Sequence, residues 1–252
     1  MSIDKKYKKI ISLVPSQTEL LVDLGLEENI LGVTKFCIHP THLTKTKTIV
    51  GGTKNIKIDK IKELQPDIIL CNKEENTKEI VEACQQIAFT HVSDIFTLTD
   101  SLELISLYGS FFEKQTEANK MISVLKSKII DFKKFVANKK NTKVAYFIWR
   151  NPWMVAANNT FINHLLELNR FENVYANEER YPEVDIEDIQ NKKTKLILLS
   201  SEPFPFKEKH IIEIKEHTNN STPILVDGEY FSWYGSRLLK AFDYFKELHN
   251  RI

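Results

Sequence analysis

Three features of the 252-residue chain predict an α/β fold of two similar lobes, each with a mainly parallel sheet, joined by one long backbone helix with a ligand cleft between the lobes. The first is the stretch Thr116 to Asn138, where Ala118, Ile122, Leu125, Ile129, Phe132 and Val136 recur at spacings of four and three and so share one helical stripe. Met121 widens the stripe, and lysines fill much of the rest. At 1.5 Å per residue this helix would be roughly 34 Å long, about right for a strut. The second feature is repetition. IDKIKELQPDIILC from Ile58 and IEDIQNKKTKLILLS from Ile186 share one plan of short helix, break and buried strand. The third is that the loops after the predicted strands carry large aromatics, all three tryptophans among them. The lobes are placed at 1–112 and 141–252, with the connecting helix at 113–140.

In chain order, Lys9 to Val14 is a β-branched, apolar run that reads as a buried strand stopped by Pro15. Ser16 with Glu19 has capping-box spacing ahead of Leu20, Leu21 and Leu24, and Gly25 ends that helix. Ile30 to Thr34 gives a second strand, followed by an aperiodic loop, KFCIHPTHLTKTK. After Gly51 and Gly52 come a helix, a strand from Asp67 to Cys71, a helix capped by Asn76 with Glu79, a strand near Thr90 to Val92, and a helix capped by Asp100 with Glu103. Beyond the strut, strands are expected at Lys143 to Trp149, Met154 to Ala157 and Thr222 to Val226. Helices are expected at Thr160 to Leu168 and, closing the chain, at Tyr234 to Leu248 with Leu238, Leu239, Phe242, Phe245 and Leu248 inward.

Composition narrows the function. With 35 basic and 34 acidic residues the net charge is +1, which favours neither nucleic acid nor an anionic membrane surface. Cys37, Cys71 and Cys84 are odd in number and contain no CxxC, which argues against a disulfide framework. No apolar run approaches the roughly 20 residues of a membrane span. MSIDKKYKK runs directly into the first strand, with no apolar leader core or cleavage site between. The expectation is therefore cytoplasmic if the sequence is complete, and periplasmic or cell-surface if a leader has been removed.

Ligands of open parallel sheets bind beyond the carboxyl ends of the strands. The loops in question are Pro15 to Gln17, Lys35 to Pro40, Gly51 to Lys54, Asn72 to Asn76, Arg150 to Trp153, Ser200 to Phe206 and Gly228 to Gly235. Phe36, Trp149, Trp153, Phe204, Phe206, Tyr230, Phe231, Trp233 and Tyr234 lie in or beside them. Rings outside periodic elements more often mark binding surface than core, although any single one can instead plug the end of a lobe.

SLVPSQTE, GVTKFCIHP, VGGTKN, ELQPDIIL, the long helix and VDGEYFSWYGSR, in that order, together resemble the helical-backbone (class III) substrate-binding proteins of bacterial ABC importers, and among them the vitamin B12 binding proteins. The resemblance spans essentially the whole chain. It implies a monomeric, non-enzymatic receptor that captures a metal chelate, cobalamin or another corrinoid first, and delivers it to a membrane permease. A ferric siderophore or haem is the alternative ligand. On this carry-over the ligand would meet Pro15, Ser16, Lys35, Phe36, His39, Asn72, Lys73, Trp149, Arg150, Trp153, Glu229, Tyr230, Phe231 and Trp233. Docking on the permease would use one acidic residue of each lobe, from Glu74, Glu75 or Glu79 and from Glu202 or Glu208. No cofactor is implied.

Ligand chemistry separates the alternatives. A bare metal ion needs three or four converging His or carboxylate ligands, and only His39 and His42 lie close together in the sequence. An anionic siderophore asks for clustered cations, for which Lys35, Lys54, Lys73, Arg150 and Arg237 are available. A corrin is a wide, mostly uncharged disc suited to aromatic walls, and His39 is a candidate axial ligand. A cytoplasmic corrinoid-binding protein without a transport role remains open. Hydrolase or redox chemistry is poorly served: PSQTE lacks the GxSxG elbow, Cys37 and His39 are two apart on one loop, and Gly51 and Gly52 match no phosphate fingerprint. A continuous strut predicts small lobe adjustments on binding, not wide hinge closure.

Overall fold

The computed structural model describes residues 7–218 and 220–252, so most of the basic amino end read above for a leader lies outside the described residues. The chain divides into two compact units. One reaches to Lys126 and also takes in Trp233–Leu239, and the other comprises Ser127–Ser232 and Lys240–Ile252. The late segment 233–239 thus belongs with the first unit, where the sequence had placed it in the second lobe.

In the first unit KIISLV forms β1 (Ile10–Ser12), and Pro15 is the first residue of α1 (Pro15–Asp23). Proline suits that position because its missing N–H would be unpaired there and its φ already matches the helix. The expected Ser16–Glu19 box is not formed. Val14 is the cap, without a side-chain bond, and Ser16 lies inside the first turn. Gly25 does end the helix, at φ +76°. β2 (Ile30–Val33), β3 (Thr48–Ile49), β4 (Ile68–Asn72) and β5 (Phe89–Ser93) follow, with α2 (Leu43–Thr46), α3 (Ile58–Glu63) and α4 (Lys78–Gln85) between them. All pairings are parallel and the order is β3-β2-β1-β4-β5, so the direction of winding reverses between β1 and β4. Two of the predicted caps move by a few residues. Thr77 caps α4 in place of Asn76, and Thr97 with Asp100 makes the capping box of α5 (Leu98–Phe111) in place of Asp100 with Glu103.

The long helix is continuous. α6 (Gln115–Val136) runs 22 residues without a break. Ala118, Leu125, Phe132, Val136 and Met121 are buried on the stripe the spacing predicts, with Ile122 and Ile129 half-buried at its margin. Gly109 lets α5 approach α6 closely, because a Cβ there would sit 2.7 Å from that of Ala118.

In the second unit the strands are β6 (Thr142–Trp149), β7 (Met154–Val155), β8 (Phe171–Asn173), β9 (Leu196–Ser200) and β10 (Thr222–Val226). α7 (Phe161–Leu168), α8 (Asp188–Asn191) and α9 (Glu208–His217) connect them. β10-β9-β6-β8 is a parallel run that matches β5-β4-β1-β2 of the first unit, which is the repetition visible in the sequence. β7 lies antiparallel against the far end of β6. β3 and β8, at two and three residues, are too short for a period to announce them. The helix expected from Tyr234 instead opens as a 3-10 turn at Gly235–Arg237 and continues as α11 (Leu238–Arg251), with a short α10 (Glu229–Ser232) before it. Gly235 adopts φ +83°, a left-handed conformation that no helix continues through.

Near its end α11 carries His249 against the rings of Phe132, Phe135 and Phe171. Burial, with Lys139 adding to it, pushes this imidazole down to about 4 from an ordinary value near 6.5. Its Nε2 is buried without a partner among the described residues. The folded state therefore takes up fewer protons than the unfolded state between those two values. Stability is complete above the unfolded value and falls as pH drops from about 6.5 toward 4. The measurement is Tm across that range, where His249→Phe should lose less than the parent does.

Candidate functional site

Because the five strands of the first unit are parallel, their carboxyl ends share one edge. From it emerge the turn into α1, residues 34–40 after β2, residues 50–56 after β3 and residues 73–77 after β4. Lys35 lies over the ring of Phe36 at 4.9 Å, and Phe36, 49% exposed, sits above Gly52. His39, half-buried on the same loop, meets Trp233 edge-on at 5.4 Å. Of the expected ligand residues, Lys35 thus touches Phe36, and His39 touches Trp233. Pro15 and Ser16 are buried. Asn72 is buried as well. Its amide donates to Ser93, and its Oδ1 accepts the N–H groups of Glu74 and Glu75, so it shapes the following loop.

The returning segment is fixed by polar groups with no sequence signature. Gln17 Nε2 donates to Ser93 Oγ at 2.6 Å and to Tyr234 Oη at 2.9 Å, and Tyr108 Oη donates to Gln17 Oε1 at 2.6 Å. Burial raises both tyrosines well above their ordinary value. Glu19, read from sequence as a cap, pairs instead with Arg237 at 2.9 Å, and the Arg237 guanidinium lies 4.9 Å over Trp233.

In the second unit β6, β9 and β10 likewise end at one edge. Trp149 is 39% exposed there and meets Phe204 at 5.7 Å. Phe204 touches Phe206, which stacks on Trp153, and Trp153 packs on Phe147 and the core. Arg150 is held by Glu213 through three bonds of 2.6–3.0 Å, a partner sequence reading missed. That pairing raises the arginine and lowers Glu213. Phe231 is wholly buried, against Tyr146 and Phe245, so it is core and not ligand surface. Tyr230 stacks on Tyr244 at 4.5 Å, and Glu229 is half-buried beside it, its N–H bonded to Asp227.

Most of the edge cations are paired. Lys73 bonds Asp94 at 2.6 Å, and Lys54 donates to the Glu74 carbonyl. Of the docking candidates, Glu79 and Glu208 are exposed, while Glu74, Glu75 and Glu202 are half-buried. Glu202 accepts the Ser232 hydroxyl, and burial raises Glu75. His42 pairs with Glu27, away from His39, and among the described residues no three His, Cys, Asp or Glu side chains converge as metal ligands. A groove of about 580 Å³ between β5 and α5, lined by His91, Asp94, Glu103 and Leu107, lies outside the aromatic loops.

Residues 10–220 match the family model described as periplasmic binding protein. An uncharacterized ABC transporter substrate-binding lipoprotein of Bacillus subtilis is 26% identical over 75% of this chain, which spans 62% of that protein's length. The vitamin B12-binding protein of Vibrio cholerae is 24% identical over 77% of the chain and 70% of its own length. The solved structure of the periplasmic vitamin B12 binding protein of Vibrio cholerae superposes with TM-score 0.81 at 20% identity, covering 96% of this chain and 98% of that one. A periplasmic haem-binding protein of Pseudomonas aeruginosa gives TM-score 0.84 at 15% identity, covering 96% and 92%.

Proposed function

Since the chain belongs to the periplasmic binding protein family, we propose that it is the substrate-binding component of an ABC importer and takes a corrinoid, cobalamin first among them. The observation that carries the choice of ligand is the pairing of cations at the strand ends. Arg150 with Glu213, Arg237 with Glu19 and Lys73 with Asp94 are each already neutralised. An anionic ferric siderophore binds by charge-assisted bonds to arginine and lysine, and would have to break these pairs or do without them. An uncharged corrin asks instead for apolar contact, and each unit has an exposed ring at its strand ends, Phe36 in the first and Trp149 in the second. Haem is the second reading, favoured by the half-buried imidazole of His39 beside Trp233, whose neutral form suits an axial metal position.

The partner in this reading is a membrane permease, with the exposed Glu79 and Glu208 as docking groups. Among the described residues no helix is long and apolar enough to cross a membrane. Calorimetric titration of the purified protein with cyanocobalamin, haem and a ferric hydroxamate tests the proposal. Saturable binding of cyanocobalamin, at least about tenfold tighter than the ferric hydroxamate, is expected, a difference of about 1.4 kcal/mol. Tighter binding of the hydroxamate or of haem would overturn the corrinoid assignment, and no binding of any chelate would overturn the receptor assignment.

A further inference from the structure

The loop after β9 carries Phe204 and Phe206, and one imidazole holds its far end. α9 begins after Lys207, and its third residue is His210. Lys207 donates its backbone N–H to His210 Nδ1 at 2.8 Å, closing the first turn as Asp100 does for Thr97 at the start of α5. A backbone N–H only donates, so Nδ1 carries no proton and the ring is neutral. The ring is 4% exposed and lies edge-on to Phe204 at 5.3 Å and to Phe206 at 5.4 Å. Phe204 in turn meets the exposed ring of Trp149 at 5.7 Å, and its N–H bonds the Ile148 carbonyl at 3.2 Å. His210 is thus one ring removed from the surface on which the ligand is proposed to lie.

We propose that His210 is a positioning residue for the Trp149 wall and makes that wall sensitive to pH, because the neutral imidazole closes the turn and backs Phe204 whereas protonation at Nδ1 releases both. The inference rests on the reading of Trp149 as ligand surface. A proton on Nδ1 would face the Lys207 N–H, donor against donor, so the bond does not survive it. Of the charged groups around the ring, Lys209 and Glu213 lie on its own helix and Arg150 on the loop after β6, while the loop after β9 presents the uncharged Phe204 and Phe206. Burial first, then Lys209 and Arg150, hold this imidazole below its ordinary value, against the pull of Glu213, whose carboxylate is already shared with Arg150. The cap is therefore intact above the ordinary value of 6.5 and is lost as pH falls below it. A ligand against Trp149 is gripped near neutrality and loosened in acid.

The test reads the loop and the ligand separately. Lys207 is exposed, so its amide exchanges with solvent unless the His210 bond protects it. In the ligand-free protein, protection of that amide should fall about fivefold between about pH 7 and about pH 5, the size of one lost cap. His210→Asn, whose side-chain oxygen accepts the same N–H and does not titrate, should keep its protection at both. Cyanocobalamin should bind the parent roughly fivefold more weakly at the lower pH, and the variant should lose less. Equal protection at both pH values in the parent, or an equal fall in His210→Asn, would overturn the proposal whatever cyanocobalamin does. Absence of cyanocobalamin binding at either pH, with the amide behaving as expected, would sustain the His210 switch and overturn the corrinoid reading.

Discussion

Replacing Arg237 with methionine should destabilise the protein by about 3–5 kcal/mol, because it leaves the carboxylate of Glu19 buried without its cation. Glu19 and Arg237 are each 5% exposed, and their contact is 2.9 Å. Surface ion pairs contribute little, since water screens them. Here both groups have left water, so removing one exposes the full desolvation cost of the other. For a chain of this size the loss corresponds to a fall in Tm of roughly 6–20 °C. Adding Glu19→Leu to Arg237→Met should recover much of that fall, because an apolar pair needs no compensation. The control matters because Arg237 also lies over Trp233, and lost ring contact would not be recovered by changing Glu19. A Tm within a degree of the parent in the single variant would show that the carboxylate reaches water.

The second large effect separates the tryptophans. Trp149→Ala should weaken cyanocobalamin binding at least about tenfold, about 1.4 kcal/mol, with Tm nearly unchanged, because the ring is 39% exposed and touches Phe204 at its rim. Trp153→Ala should do the reverse. Its half-buried ring packs on Phe147 and stacks on Phe206 at 6.1 Å, against the core cluster, so truncation should cost about 3 kcal/mol of stability. Trp233 is 6% exposed, between His39 and Arg237, and its replacement acts on stability and on the His39 loop together. Sequence places Trp233 among the rings the ligand would meet, and its burial adds a cost in stability to any loss of binding. Equal affinity in Trp149→Ala and the parent would remove this ring from the binding surface.

Much of the fold was legible because periodicity is a local property. The stripe of α6 is written in spacings of three and four, and the buried strands in short β-branched runs. Capping was less legible. Ser16, Asn76 and Asp100 each head a correctly spaced motif, yet the bond falls to Thr77 and Thr97 in two cases and to no side chain in the first. Several residues in a row can cap, and which one does depends on where the preceding strand releases the chain. Loop aromatics were legible as a group and not one by one. Phe36 and Trp149 are exposed, whereas Phe231 and Phe206 fill cores.

By itself the sequence determined the long helix, the repeated α/β plan and the placing of rings after strands, since each depends on residues within a turn or two of one another. Only the tertiary structure decided that Glu19 meets Arg237, that Arg150 meets Glu213 and that residues 233–239 belong with the first unit. Those partners lie far apart in the chain, and a carboxylate carries no local mark of the cation that will neutralise it. The charge a ligand meets is therefore set by long-range pairing, even where the shape that receives it is foretold by local pattern.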